Sequence, residues 1–178
     1  HIQVFHTEKG SECARLLLDT AVDAVRFYRE RFGFYPHNNL VILPGGDYPV
    51  GGYPLTSAIV VVHGQERFAD KPEGHWRWIT AHEIGHQFWS EHVFPEGPGR
   101  LDWLMIGLGI YVDREYSKVR GLTARHKEFL AEYAEALRDG YDTTVDRTAE
   151  QFAELGWDYN NKVIHAKGFS IISALESA

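Results

Sequence analysis

Long apolar runs, basic clusters, paired cysteines and internal repeats are all missing from this sequence, and each absence removes a class of function. No stretch approaches the roughly 18 consecutive apolar residues of a membrane span, and no signal-type segment stands at the start, so this segment is not expected to contact a membrane. The 178 residues carry a formal charge of −7 at pH 7. Without a block of lysine or arginine there is no electrostatic footprint for a phosphate backbone, and nucleic acid is not an expected partner. The one cysteine, Cys13, has no mate for an internal disulfide. Its place in an amphipathic pattern predicts a small core residue rather than a nucleophile. With 44% hydrophobic residues the chain has apolar material for one core, so a single domain over 1–178 is expected. It opens on His1 and ends inside a helical pattern at "IISALESA", which reads as a domain excised from a longer polypeptide. Compartment and oligomeric state stay open.

The pattern of apolar residues divides the chain into a short strand-rich part and a longer helical one. "IQVFH" alternates as a strand does. After Gly10, Ser11 is placed to cap a helix in which Ala14, Leu17, Leu18, Ala21, Val22, Val25 and Tyr28 recur at helical spacing until Gly33. "NLVIL" and "SAIVVVH" are β-branched runs that predict two strands, joined by the Gly/Pro-rich connection "PGGDYPVGGYP". Beyond Gly74, Trp78, His82, His86 and Trp89 form one helical stripe. "LDWLMIGLGIYVDREY" predicts a second apolar helix after the break at "PEGPG". Further helices are expected from Thr123 to about Arg138, from Thr148 with Gln151 completing a capping box, and from near Asn160 through Ile164, Gly168, Ile171, Ile172 and Leu175. A small sheet followed by helices is an α+β arrangement.

The chemistry concentrates in "HEIGH", residues 82 to 86. Residues i and i+4 of a helix project side by side, so His82 and His86 can grip one zinc ion with two neutral imidazoles. Glu83 lies about 100° round from His82, where a carboxylate can take the proton of a metal-activated water. With ten histidines in the chain, a chance H-E-x-x-H is on the order of a few per cent. Several neighbouring residues have plainer readings. Trp76, Trp78, Trp89 and Trp103 read as core aromatics, one of which lines a pocket. Gly107 and Gly109 cost about 1 kcal/mol each in a helix and so point to close helix packing rather than chemistry. His63 and His75 flank the expected cleft but read as solvated or capped residues. Glu128, Glu132 and Glu135, with Lys127 and Arg138, read as a solvated helix face.

Four stretches, in order, resemble the gluzincin aminopeptidase family, the group that includes membrane alanyl aminopeptidase and leukotriene hydrolase. "VFHTEKGSECARLLLDTAVDAVRFYRERFGFYPHNNLVIL" resembles the start of that family's catalytic domain. "HEIGHQFW" resembles its zinc helix, "DWLMIGLGIY" the helix usually written W-L-N-E-G-x-x-x-Y, and "HAKGFSIISALE" the later Y-x-K-G helix. The resemblance implies a thermolysin-like zincin domain that hydrolyses peptide bonds, with the H-E-x-x-H on a central helix. His82 and His86 would bind Zn2+, Glu83 would be the general base, and a peptide or protein would be the substrate.

The departures from that family define the alternative, a catalytically impaired pseudo-peptidase acting as a binding or structural module. The family's third zinc ligand, a glutamate, aligns with Ile106, or with Met105 by an ungapped count from His86. Neither side chain ligates zinc usefully. His92 follows His86 at metzincin spacing and is the first candidate to replace it, ahead of Asp102, Asp113 and Glu115; water can also fill the place. His165 stands where the family has its tyrosine, and an imidazole can donate a hydrogen bond to an oxyanion. The amine-binding G-x-M-E-N loop is represented by "VGGYPLTSAIVVV", which has no acid. There Gly52 and Tyr53 are the expected substrate-binding residues, with an extended peptide lying along the strand around Ala58 to Val62.

Overall fold

The amphipathic stretch after Gly10 folds as one 22-residue helix, α1 (Ser11–Phe32). A computed structural model of the chain describes residues 1–46, 51–89, 91–93, 102–145, 154, 156 and 159–178, of 102 and 160 the backbone alone. The buried stripe of α1 is Cys13, Leu17, Ala21, Ala24 and Tyr28, and Gly33 ends the helix in the left-handed region (φ 81°), where glycine is free of steric penalty. Two details differ from expectation. Ser11 is the first helical residue rather than the cap, which is Gly10. Leu18 and Val22 are 38% and 42% exposed, because each sits one residue, about 100°, round from the Leu17–Ala21 line.

The strand-forming runs assemble a four-stranded sheet in the order β1 (Ile2–Val4), β2 (Leu40–Pro44), β4 (Ile59–Val62), β3 (Gly52–Leu55). β1 pairs with β2 and β2 with β4 in parallel, while β3 runs antiparallel to β4. β2 and β4 are the two expected strands. β3 arises inside the Gly/Pro-rich connection, where only a loop was expected. Its turn has no Asn-Gly signature; Ser57 and Ala58 themselves take positive φ, 64° and 68°. This third strand corrects the substrate-strand expectation. β4 is hydrogen-bonded on both sides, so a peptide cannot add along Ala58 to Val62, and the open edge beside β4 belongs to β3. The His63 N–H donates to Gly51 O at 2.8 Å, which fixes Gly51 and His63 as a hydrogen-bonded pair. By alternation, the backbone groups of Gly52 and Pro54 face the open edge. Pro54 has no N–H to offer there.

The rest is helical, so the chain is α+β with a small mixed sheet and mostly helices. α2 (Glu73–Gly85) packs against α1 and against strands β3 and β4, and α3 (Asp102–Arg120) packs on α2. α4 (Ala124–Arg138) matches the helix expected from Thr123. The helix expected near Asn160 is wound in two ways: Tyr159–Lys167 is π-helical and runs directly into α5 (Gly168–Glu176). The capping box from Thr148 to Gln151 lies outside the described residues.

Two contacts set the helix layer. The Tyr28 hydroxyl donates to the Ala81 carbonyl at 3.0 Å, tying α1 to the back of α2. α3 meets the start of α5 through glycines: a Cβ on Gly107 would stand 3.0 Å from the Gly168 backbone, and one on Gly168 would stand 2.8 Å from the Trp103 carbonyl oxygen. Alanine at Gly168 gains about 1 kcal/mol of helix propensity. Overpacking against unyielding backbone costs about 1–3 kcal/mol. Gly168→Ala is therefore expected to be net destabilising, read as a lower denaturation midpoint at unchanged m-value; a midpoint at or above wild type refutes this packing.

Cys13 is fully buried, and burial followed by the Glu12 charge pushes its thiol up to about 12. A thiol with neither access nor thiolate is inert. Folded protein at pH 8 is expected to leave Cys13 unalkylated by iodoacetamide for as long as denaturant-unfolded protein takes to react completely, as measured by intact mass.

Candidate metal centre

The last turn of α2 carries His82 and Glu83, and His86 caps it, with its N–H on the His82 carbonyl at 3.1 Å. This local geometry puts the two imidazoles on the same side, with ring centroids 4.6 Å apart and the two Nε2 atoms 3.2 Å apart. Both residues are 5% exposed and Glu83 is 3% exposed. Among the described residues, His82, Glu83 and His86 form the cluster whose potential ligand atoms all lie within 4.8 Å of one another.

The outer nitrogens determine which atoms face inward. His82 Nδ1 is 2.5 Å from Asp113 Oδ2, and His86 Nδ1 is 3.4 Å from the Trp89 carbonyl. A carboxylate and a carbonyl only accept, so each Nδ1 bears hydrogen, and each Nε2 turns toward the other. Two lone-pair nitrogens at 3.2 Å repel unless one cation stands between them, either a proton or a metal ion. Zinc bound to two imidazoles at about 2.0–2.1 Å with a tetrahedral angle needs an N–N spacing of about 3.3 Å. The donor set and its spacing therefore fit zinc.

The charges follow from burial. Burial first, and then the neighbouring His82, pulls His86 down to about 3, so its imidazole is neutral at ordinary pH. Burial also works against charge on His82, but the carboxylates of Glu83 and Asp113 outweigh it and raise its pKa. Glu83 is pushed up to about 7 by burial and, more weakly, by Asp113, with His82 opposing.

Asp113 was expected only as a minor ligand candidate and is instead engaged in hydrogen bonds with the side chains around His82. It is fully buried on α3 and accepts from three ring N–H groups: His82 Nδ1, Trp78 Nε1 at 3.3 Å, and His126 Nε2. The two imidazole hydrogen bonds outweigh the cost of burial and keep its carboxyl below the usual range. Such carboxylate–histidine pairs orient a metal ligand and raise its basicity. His126 was not anticipated, although its helical spacing with Phe129 and Ala136, all buried, carries a signal.

Of the other candidates for a third ligand, the Asp102 side chain lies outside the described residues, and His92 and Glu115 fall elsewhere. His92 is exposed, its ring 5.6 Å from that of Phe34, and it is not part of the cluster. Met105 is buried in the core, and Ile106 packs into both apolar clusters. The α3 residue that faces His86 is Gly109, where a Cβ would stand 2.3 Å from His86 Cε1. Gly109 thus makes room for the His86 ring where α3 packs on the end of α2, and Gly107 does the same for α3 against the start of α5, so both keep their reading as close-packing residues. Glu115 pairs with Lys118 at 2.8 Å and with Arg114.

Above the cluster opens a cleft of about 700 Å³, lined among others by His82, Glu83, Gly52, Trp78, Phe129 and His165. Gly52 lies against Glu83; a Cβ there would be 2.7 Å from Glu83 Cγ and 2.7 Å from the Val61 carbonyl. Tyr53 alternates away, 44% exposed with its ring 5.3 Å from that of His63, so of the two expected substrate-binding residues Gly52 alone lines the cleft. His165, carried by the π-helical turn, reaches the cleft and stacks on Phe129 with centroids 6.2 Å apart at 15°. Trp78 is the tryptophan that lines the pocket, stacked on the His82 ring at 5.3 Å. His75, Arg125 and Glu128 also line it. Arg125 bonds Glu128 and Glu132, so this part of α4 is a cleft wall rather than a purely solvated face.

The chain matches no protein-family model and no curated protein. Gly109→Ala is expected to push the His86 ring out of line and lower zinc affinity on the order of tenfold or more, by competition with a chromophoric chelator. Unchanged affinity would mean that His86 is not a ligand.

Proposed function

We propose that the chain is a zinc-dependent peptidase-like domain of the thermolysin-like zincin type, acting on an extended peptide or protein substrate. The observation that carries this reading is the convergence of His82, Glu83 and His86, the two Nε2 atoms 3.2 Å apart, with His82 and Glu83 lining the cleft. The resemblance of four stretches, in order, to the gluzincin aminopeptidases supports the same reading. His82 and His86 would hold the ion, their rings steadied by Asp113 and the Trp89 carbonyl. Zinc supplies Lewis acidity for a carbonyl and a lowered pKa for water. Glu83 would take the proton of the attacking water and return it to the leaving amine. His165 would donate to the developing oxyanion. The backbone of Gly52 on the open edge of β3 would hold the peptide. The stretch "VGGYPLTSAIVVV" holds no acid for a free amine, so internal peptide bonds are the better substrates.

A second reading, a catalytically impaired binding module, is favoured by one specific feature. α3 presents Gly109 rather than a carboxylate to His86, and Glu83 is close enough to complete the metal sphere itself. A glutamate used as a ligand is no longer a base.

Glu83→Gln separates the two. If Glu83 is the base, the variant keeps one zinc per chain while cleavage of an internally quenched peptide library falls about 10²–10⁴-fold. If Glu83 is a ligand, zinc is lost along with any activity. His86→Ala is expected to lose zinc and His92→Ala to keep it, by elemental analysis after dialysis. A wild-type chain that retains no zinc would overturn the metallopeptidase reading.

A further inference from the structure

The metal pair is held from α2, yet the carboxylate that orients His82 is itself gripped from a third helix. His126, in the first turn of α4, is 4% exposed, and its Nε2 donates to Asp113 Oδ1, the oxygen not used by His82. Its other nitrogen, Nδ1, is enclosed and has no hydrogen-bond partner among the described residues. A buried N–H without an acceptor costs more than a bare lone pair, so the hydrogen belongs on Nε2, facing the carboxylate. The ring is wedged against Phe169 of α5, centroids 5.7 Å apart, which limits its rotation. A carboxylate fully buried at the end of a short side chain can turn about its last bond. Here Trp78 and His126 hold one oxygen from two directions, leaving Oδ2 aimed at His82 Nδ1.

We propose that His126 is a positioning residue for the metal centre: through Asp113 it sets the orientation and tautomer of His82, a ligand it does not touch. The inference rests on the metal reading for its consequence, but its mechanism is a property of the metal-free chain. Removing the His126 donor leaves Asp113 Oδ1 held by Trp78 alone, at 3.3 Å, so the carboxylate can turn more freely and His82 Nδ1 then has a less firmly fixed acceptor. The ring can take the other tautomer, with hydrogen on Nε2, and that tautomer cannot ligate through Nε2.

The test compares the full chain with His126→Leu, which removes the donor, and with the pair His126→Gln and His126→Asn. The Gln amide nitrogen comes close to the place of imidazole Nε2; the shorter Asn side chain does not reach it. Two quantities are measured: zinc affinity by chelator competition, and the ring nitrogen shifts of His82 in the metal-free protein by long-range 1H–15N NMR. Loss of an outer-shell partner lowers metal affinity about 10–100-fold, so this range is expected for Leu and Asn, with Gln within about threefold of wild type. The His82 nitrogens should move in Leu and Asn and stay in Gln. A purely structural role would lower thermal stability in all three without sorting Gln from Asn. Wild-type affinity and unmoved His82 shifts in both Leu and Asn overturn the proposal. Should His126→Leu fail to fold, the Gln–Asn contrast decides alone. If the wild-type chain binds no zinc, the metallopeptidase reading fails while the NMR comparison still decides the role of His126.

Discussion

A buried carboxylate on α3 is the point from which this molecule is held together. Taking Asp113 out of water costs several kcal/mol even after relaxation. What offsets that cost is three N–H donors from two other helices, Trp78 and His82 of α2 and His126 of α4. The same bonds that make the charge tolerable fix the relative phase of the three helices. They also present His82 Nε2 to His86. Fold and site therefore share one contact, and a change that relaxes the carboxylate disturbs both.

Close approach is the second constraint, and glycine is how the chain meets it. Gly52 brings the β3 backbone against Glu83, Gly109 admits the His86 ring, and Gly107 and Gly168 let α3 and the start of α5 touch. In each case a methyl group would meet backbone or a pinned ring rather than a side chain free to move away. The phase of α3 then decides which of its residues meet the histidine pair. With Asp113 turned to His82 and Gly109 to His86, Ile106 packs into the apolar clusters.

Much of the fold was legible in the chain because the relevant signals are local. Apolar periodicity marked α1, α3 and α4, β-branched runs marked β2 and β4, and the burial of Cys13 followed from its place in a helical stripe. β3 was hidden because Ser57 and Ala58 adopt turn conformations that their side chains do not advertise. The site was half legible. The i, i+4 spacing of His82 and His86 guarantees that the rings can meet, and Glu83 follows from adjacency.

What the spacing along one helix could not determine is which nitrogen each ring turns inward, or what stands behind it. Those outcomes depend on partners brought from 31 and 44 positions away, Asp113 behind His82 and His126 behind Asp113. The same holds for His165, which reaches the cleft on a π-helical turn, and for His92, which matched a ligand spacing yet lies on Phe34. By itself the sequence determined most of the helices, the strands other than β3, and that the rings of His82 and His86 can meet. The tertiary structure decided which of them meet, because a buried polar atom's partner depends on the phase between packed elements, and only the packing of the whole core sets that phase.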